Sequence, residues 1–251
     1  MSTTIPHRMP RGLVWIQALL GIGAYLTLCI PYLKRLRGLE RLRPIQRYLF
    51  VANHVSLLDT ILLGGVCWRS GLYPILVLGD KATWHASLVK RLLSQPIGYL
   101  LERGKLNPGR IHELENFGRA SALFHLVVYP EGTRGDGLHV GPCKPGLYHI
   151  AQAAGVPMVP LFIVNMQLIS TKTGKFRLLA GWRKVEIHFG PPIPPATYLP
   201  MSREEFTEFV RERIAALQPM PPAERSSLAL PPAESPTRGT RHGAAPRSFL
   251  R

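Results

Sequence analysis

The chain has 251 residues, enough for one sizeable domain with a well-buried core. Its 31 lysines and arginines face 15 acidic residues, and the resulting charge of +16, with a pI near 10.4, favours an anionic partner: nucleic acid, membrane headgroups or a phosphorylated substrate. The three cysteines, Cys29, Cys67 and Cys143, are odd in number and widely spaced, which argues against a disulfide framework and against a zinc site.

The first element in chain order is "LVWIQALLGIGAYLTLCIPYL", residues 13–33, which carries no charge. At about 1.5 Å per residue it matches a hydrocarbon core of roughly 30 Å. Its apolar run is too long for a secretory signal, so an uncleaved membrane anchor is expected. Gln17 and Pro31 interrupt it, leaving two placements open, crossing the bilayer or lying on it. Arg8 and Arg11 precede it and Lys34, Arg35, Arg37, Arg41 and Arg43 follow, a bias that places the downstream domain on the cytoplasmic face of the inner or plasma membrane.

After a basic linker, strands are predicted at 48–52, 73–79, 97–101, 124–129 and 158–164, with helices at 56–68, 81–94, 108–121 and 146–154 between them. This alternation gives an α/β fold, a mixed and largely buried β-sheet flanked by helices, with the N-terminal helix as its membrane anchor. Residues 176–181 and 184–190 read as an adjacent strand pair, ended by Pro191, Pro192, Pro194 and Pro195. A last helix starts at Ser202 with Glu205 as the partner in a capping box. Residues 219–251, with seven prolines and five arginines against two glutamates, read as a disordered basic tail. The expected organisation is an anchor over 1–34, a domain over 35–218 and the tail.

Two polar motifs stand at strand ends. In "NHVSLLD", residues 53–59, His54 and Asp59 are five positions apart, which on a continuous helix would turn them roughly 140° from each other. Ser56, however, is a natural N-cap with Asp59 in the first helical turn, so His54 lies on the preceding turn and the carboxylate can reach back to the imidazole. That arrangement suits a general base with its orienting carboxylate, while the spacing taken alone also fits a structural histidine after a strand. Ser56 is engaged in capping and is outside a G-x-S-x-G elbow, which leaves the pair without a nucleophile of its own and suits deprotonation of a hydroxyl that arrives on a substrate. In "YPEGTR", residues 129–134, Gly132 permits a tight turn, and Thr133 and Arg134 offer donors to a phosphate. A third run, "PIGYLLERG", ends on Glu102 and Arg103.

Together these pieces resemble the glycerolipid acyltransferase family. The N-H-x-S-x-x-D block is complete from Asn53 to Asp59, and the E-G-T-R block is complete from Glu131 to Arg134. A V-P-x-V-P run follows at Val156–Pro160, and Arg103 is retained in a block whose other residues depart from the usual pattern. The resemblance implies a membrane-bound O-acyltransferase that moves an acyl group from a thioester to the free hydroxyl of 1-acyl-sn-glycerol-3-phosphate, giving phosphatidate. It implies His54 as base and Asp59 as its orienter, with Arg134 and Arg103 holding the acceptor phosphate and Glu131, Gly132 and Thr133 lining the turn of the substrate site. Val156, Pro157 and Pro160 would line an acyl or donor pocket. The expected partners are a lysophospholipid, an acyl-CoA or acyl-carrier-protein donor, and the membrane; no cofactor, metal or nucleic acid is expected. The alternatives are another lysolipid acceptor, such as a lyso-ornithine lipid or lysophosphatidylethanolamine, and a membrane-tethered nucleic-acid-binding module.

Overall fold

A run of seven residues that buries every side chain, Met158–Val164, marks the middle of the sheet. Leu49–Ala52 and His125–Val128 are likewise buried throughout, as expected of strands covered on both faces. The computed structural model describes residues 10–81, 96–101, 108–119, 124–170 and 175–219. The expected helix at 81–94, apart from Lys81, and the tail beyond Pro219 lie outside the described residues, as do Glu102 and Arg103.

The strands are β1 (Leu33–Arg37), β2 (Leu49–Ala52), β3 (Ile75–Asp80), β4 (Gly98–Leu101), β5 (His125–Val128), β6 (Met158–Val164) and β7 (Val185–Phe189). They form one sheet in the order β1-β7-β6-β2-β5-β3-β4, in which only β6 and β7 pair antiparallel. The helices are α1 (Arg11–Tyr32, with a π-turn over Tyr25–Cys29), α2 (Leu57–Arg69), α3 (Pro108–Arg119), α4 (Gly146–Ala154) and α5 (Arg203–Ala215). Alternation along each strand divides the core. Leu49, Val51, Leu126 and Val128 pack with Phe117 of α3, Ile150 of α4 and Phe206 of α5. Phe50, Ala52 and Val127 pack on the other face with Leu62 and Val66 of α2 and with Cys29 and Tyr32 of α1.

This topology positions the two polar motifs. β2 and β5 are parallel neighbours with Val51 opposite Val128, so the segments that follow them leave the sheet side by side. From there α2 connects toward β3 on one face and α4 toward β6 on the other. Connections that diverge from adjacent parallel strands open a crevice at the strands' carboxyl ends.

Two stretches differ from their expected form. Residues 33–37, read as part of a basic linker, form the edge strand β1 beside β7, with four of five side chains exposed. Residues 176–181, read as a strand, make only an isolated bridge from Phe176 to Ser170 before a 3-10 turn at Leu178–Gly181. The chain folds back there because Gly181 sits against Ile169, where a Cβ would come within 2.2 Å of its side chain.

α1 is long and apolar enough to cross a membrane, yet one of its faces is docked on the domain. Gly21 lies against Trp68, and Gly65 of α2 admits the backbone of Tyr25. Gln17, buried, accepts from Ile75 N at 2.9 Å and donates to Ile75 O at 3.0 Å and Pro96 O at 2.6 Å. Trp15, Leu19 and Leu26 point away and are more than half exposed. The segment thus has one face docked on the domain and one apolar face turned outward.

One buried group makes the fold acid-sensitive. His125 stands in the central strand β5, stacked on Tyr48, with neither ring nitrogen meeting a hydrogen-bond partner among the described residues. Burial pushes its pKa down from 6.5 to about 4. The unfolded chain therefore binds a proton that the folded chain refuses, so stability is full above pH 6.5 and is lost as the pH falls toward 4. The loss from this group is about 3 kcal/mol. Melting curves across that window should show the decline, and His125→Phe should flatten it; equal slopes in both proteins would remove His125 as the cause.

Candidate active site

The N-terminus of α2 is built by a capping box: Ser56 Oγ accepts from Leu58 N at 3.1 Å, and Asp59 Oδ2 accepts from Ser56 N at 2.8 Å. The same Asp59 oxygen also accepts from Val55 N at 2.6 Å and lies 2.9 Å from His54 Nδ1. A carboxylate at this contact holds the proton on Nδ1 and leaves the Nε2 lone pair free. Asp59 is fully buried, whereas the His54 side chain is 20% exposed, so the imidazole reaches solvent and the carboxylate does not. The five-residue spacing thus works as expected, with the helix cap bringing the two groups together.

Two neighbours hold the imidazole further. Asn53 ties the end of β2 to β6, donating to Ile163 O and accepting from Ile163 N. Tyr129, at the end of β5, stacks on the His54 ring with centroids 4.1 Å apart and planes 20° apart. Its hydroxyl pairs with Thr60 Oγ1 at 2.9 Å. Burial, reinforced by the nearby Asp59 charge, pushes the Tyr129 phenol far above its ordinary range, so it remains a neutral platform. Sequence reasoning placed Tyr129 at a strand end and missed this contact, because stacking across two strands leaves no local pattern.

The turn after Tyr129 closes over the histidine. Gly132, with φ +62°, makes the bend, and Gly132 N donates to Tyr129 O at 3.0 Å. Gly135 N donates to His54 O at 2.6 Å. The Glu131 carboxylate accepts from His54 N at 3.4 Å and from Gly141 N, and it is buried. Burial raises its pKa, and the hydrogen bonds from His54 and Gly141 oppose the rise. The Glu131 carboxylate, bonded to two backbone amides, is suited to fixing the loop beside His54. Thr133 and Arg134 are exposed at the mouth of the same turn.

The family model described as Acyltransferase matches residues 34–164, just over half of the chain. The chain belongs to the acyltransferase family. Proteins named 1-acyl-sn-glycerol-3-phosphate acyltransferase are similar to it. One from Saccharomyces cerevisiae is 32% identical over 141 residues, 51% of this chain and 43% of that protein. One from Salmonella typhimurium is 39% identical over 155 residues, 60% of this chain and 58% of the relative. The chain spans about half the length of these curated relatives. The crystal structure of the 1-acyl-sn-glycerophosphate (LPA) acyltransferase PlsC from Thermotoga maritima shares the fold, with a TM-score of 0.60 at 21% identity, covering 87% of this chain and 81% of that one.

The remaining acyltransferase-family residues fall into two groups. Arg103 lies outside the described residues. Among the described residues Val156, Pro157 and Pro160 take part in packing and hydrogen bonds around the start of β6. Val156 is buried and its carbonyl accepts from the Tyr198 hydroxyl at 2.7 Å; Pro157 O accepts from Leu49 N, and Pro160 O from Gly190 N. Pro160 fits in an interior strand because β7 ends at Phe189, just before the position where the missing N–H would have faced a partner.

Proposed function

We propose that the chain transfers a fatty acyl group from an acyl thioester, on CoA or a carrier protein, to the free hydroxyl of 1-acyl-sn-glycerol-3-phosphate, at the cytoplasmic surface of a membrane on which α1 lies. The observation that carries this reading is the His54–Asp59 pair, whose Nε2 meets no hydrogen-bond partner among the described residues and whose neighbour Ser56 Oγ is engaged in capping.

In the proposed reaction Nε2 takes the proton of the acceptor hydroxyl as its oxygen attacks the thioester carbonyl. Asp59 balances the charge that forms on the ring. The tetrahedral intermediate then collapses, the carbon–sulfur bond breaks, and the imidazolium returns the proton to the departing thiolate. An ester and a free thiol leave, and no covalent acyl-enzyme forms. Arg134, exposed beside the base on the Glu131–Arg134 turn, is suited to the acceptor phosphate as a charge-assisted donor. The domain's positive charge concentrates both anionic substrates.

The detergent-purified protein, given a panel of lysolipids with both donor types and products resolved by mass, tests the reading. Phosphatidate formed from lysophosphatidate, with little acylation of headgroup-bearing lysolipids, is the expected result; acylation of a lyso-ornithine lipid or lysophosphatidylethanolamine instead would replace the acceptor. Arg134→Ala should raise the acceptor KM by about tenfold or more while sparing the donor KM. A defect confined to the donor would move Arg134 out of the acceptor site.

A further inference from the structure

The 3-10 turn that replaced the expected strand presents Phe176, Leu179 and Trp182 to solvent at 64%, 89% and 57% exposure. Exposed apolar side chains commonly mark a segment that has not packed, but this backbone is held firmly. Arg177 N donates to Ile169 O at 2.7 Å, Phe176 bridges to Ser170, Gly181 sits on the Ile169 side chain, and Asn165 donates to Lys184 O at 2.9 Å. The fold fixes the main chain and turns the large side chains outward.

The turn is also fastened to the end of α1. Arg183 N donates to Pro31 O at 3.0 Å, and the rings of Trp182 and Tyr32 meet edge to face at 6.1 Å. Its apolar side chains thus extend the outward face of α1, where Leu26 and Ile30 are exposed by 57% and 50%. Around them stand the exposed cations Lys175, Arg177, Arg183 and Lys184. No acidic residue occurs between Asp136 and Glu186.

From this arrangement we propose that residues 175–184 are a second bilayer-contact element, which inserts Phe176, Leu179 and Trp182 into the interface of an anionic membrane beside the outer face of α1. Bulky apolar side chains ringed by lysine and arginine are the composition of an interfacial contact, with the rings and leucine at the acyl boundary and the cations at the headgroups. The proposal rests on the reading that α1 lies on a membrane, and it adds a contact far along the chain from that helix. A contact that widens the apolar face beyond the helix axis fixes a rotational orientation that one helix alone would leave loose.

The test uses the full chain with equimolar phosphatidylcholine–phosphatidylglycerol vesicles, sedimented to measure partition. The double variant Leu179→Ser/Trp182→Ser changes exposed positions and should weaken partition by about tenfold or more. A second measurement compares quenching of tryptophan emission by bromine-labelled lipid in the parent chain and in Trp182→Phe; the quenched component should shrink in the variant. Unchanged partition together with unchanged quenching would overturn the proposal. So would a shift of the double variant from dimer to monomer in detergent, which would make the patch a contact between copies of the chain. Acyl transfer to lysophosphatidate in detergent micelles should be equal in the double variant and the parent. Its absence in both proteins would count against the acyltransferase reading while leaving the vesicle result to decide this one.

Discussion

Replacing His54 with alanine is expected to abolish acyl transfer, with a fall in turnover on the order of ten-thousandfold, while the near-ultraviolet circular dichroism stays that of the folded protein. The size follows from what stands around the ring. Nε2 is the free proton acceptor of the pair, because Asp59 Oδ2 already accepts from Nδ1 and two backbone amides. Tyr129 cannot take over, since its buried hydroxyl pairs with Thr60 and its pKa is raised. The fold should tolerate the change: the ring is partly exposed, and the capping box of α2 does not pass through it. The check is thiol release from acyl-CoA by the purified variant; turnover near that of the parent would end the general-base assignment.

The second large effect is expected at Asp59, where chemistry and folding depend on one atom. Asp59→Asn keeps the shape but replaces one carboxylate oxygen by an NH₂. If the amide oxygen takes the Oδ2 position, the NH₂ falls where Oδ1 now lies, buried and without a partner among the described residues. If the amide is turned over, the NH₂ faces three N–H donors. Either arrangement leaves buried polar groups unpaired, at about 1–3 kcal/mol. The charge that supports the protonated imidazole is lost as well, and turnover should fall about a thousandfold or more. The defect should appear in kcat more than in the acceptor KM, with a lowered Tm; an unchanged Tm and a purely KM-based defect would contradict the double role.

These two residues were legible in the sequence because the cap that joins them is local. Ser56 and Asp59 lie within one turn, and the capping box specifies where the backbone must bend. The interior strands were legible for a related reason: β2 and β6 are unbroken apolar runs and β5 is one after His125, and burial on both faces leaves no other place for them. β1 was missed because an edge strand needs few apolar residues, and "LKRLR" reads as a charged linker until β7 is known to lie beside it. The turn at 178–181 was missed in the opposite sense. "FRLLAG" has the composition of a strand, and only the seat of Gly181 on Ile169, far apart in the reading of any short window, turns the chain away from the sheet. The buried position of Glu131 was hidden likewise, since its partners, His54 and Gly141, come from different loops. A motif shows which residues belong together, but not which of them faces the substrate.

Gln17 carries a consequence that hydropathy inverts. Its amide meets the N–H and C=O of Ile75 much as a peptide unit of a neighbouring strand would, so one side chain stitches the apolar helix to the rim of the sheet. A leucine in its place would make the segment look more like a membrane span and, at the same time, loosen its hold on the protein. At this residue the most lipid-like choice is the one that would remove three of the hydrogen bonds by which the helix is held to its own domain.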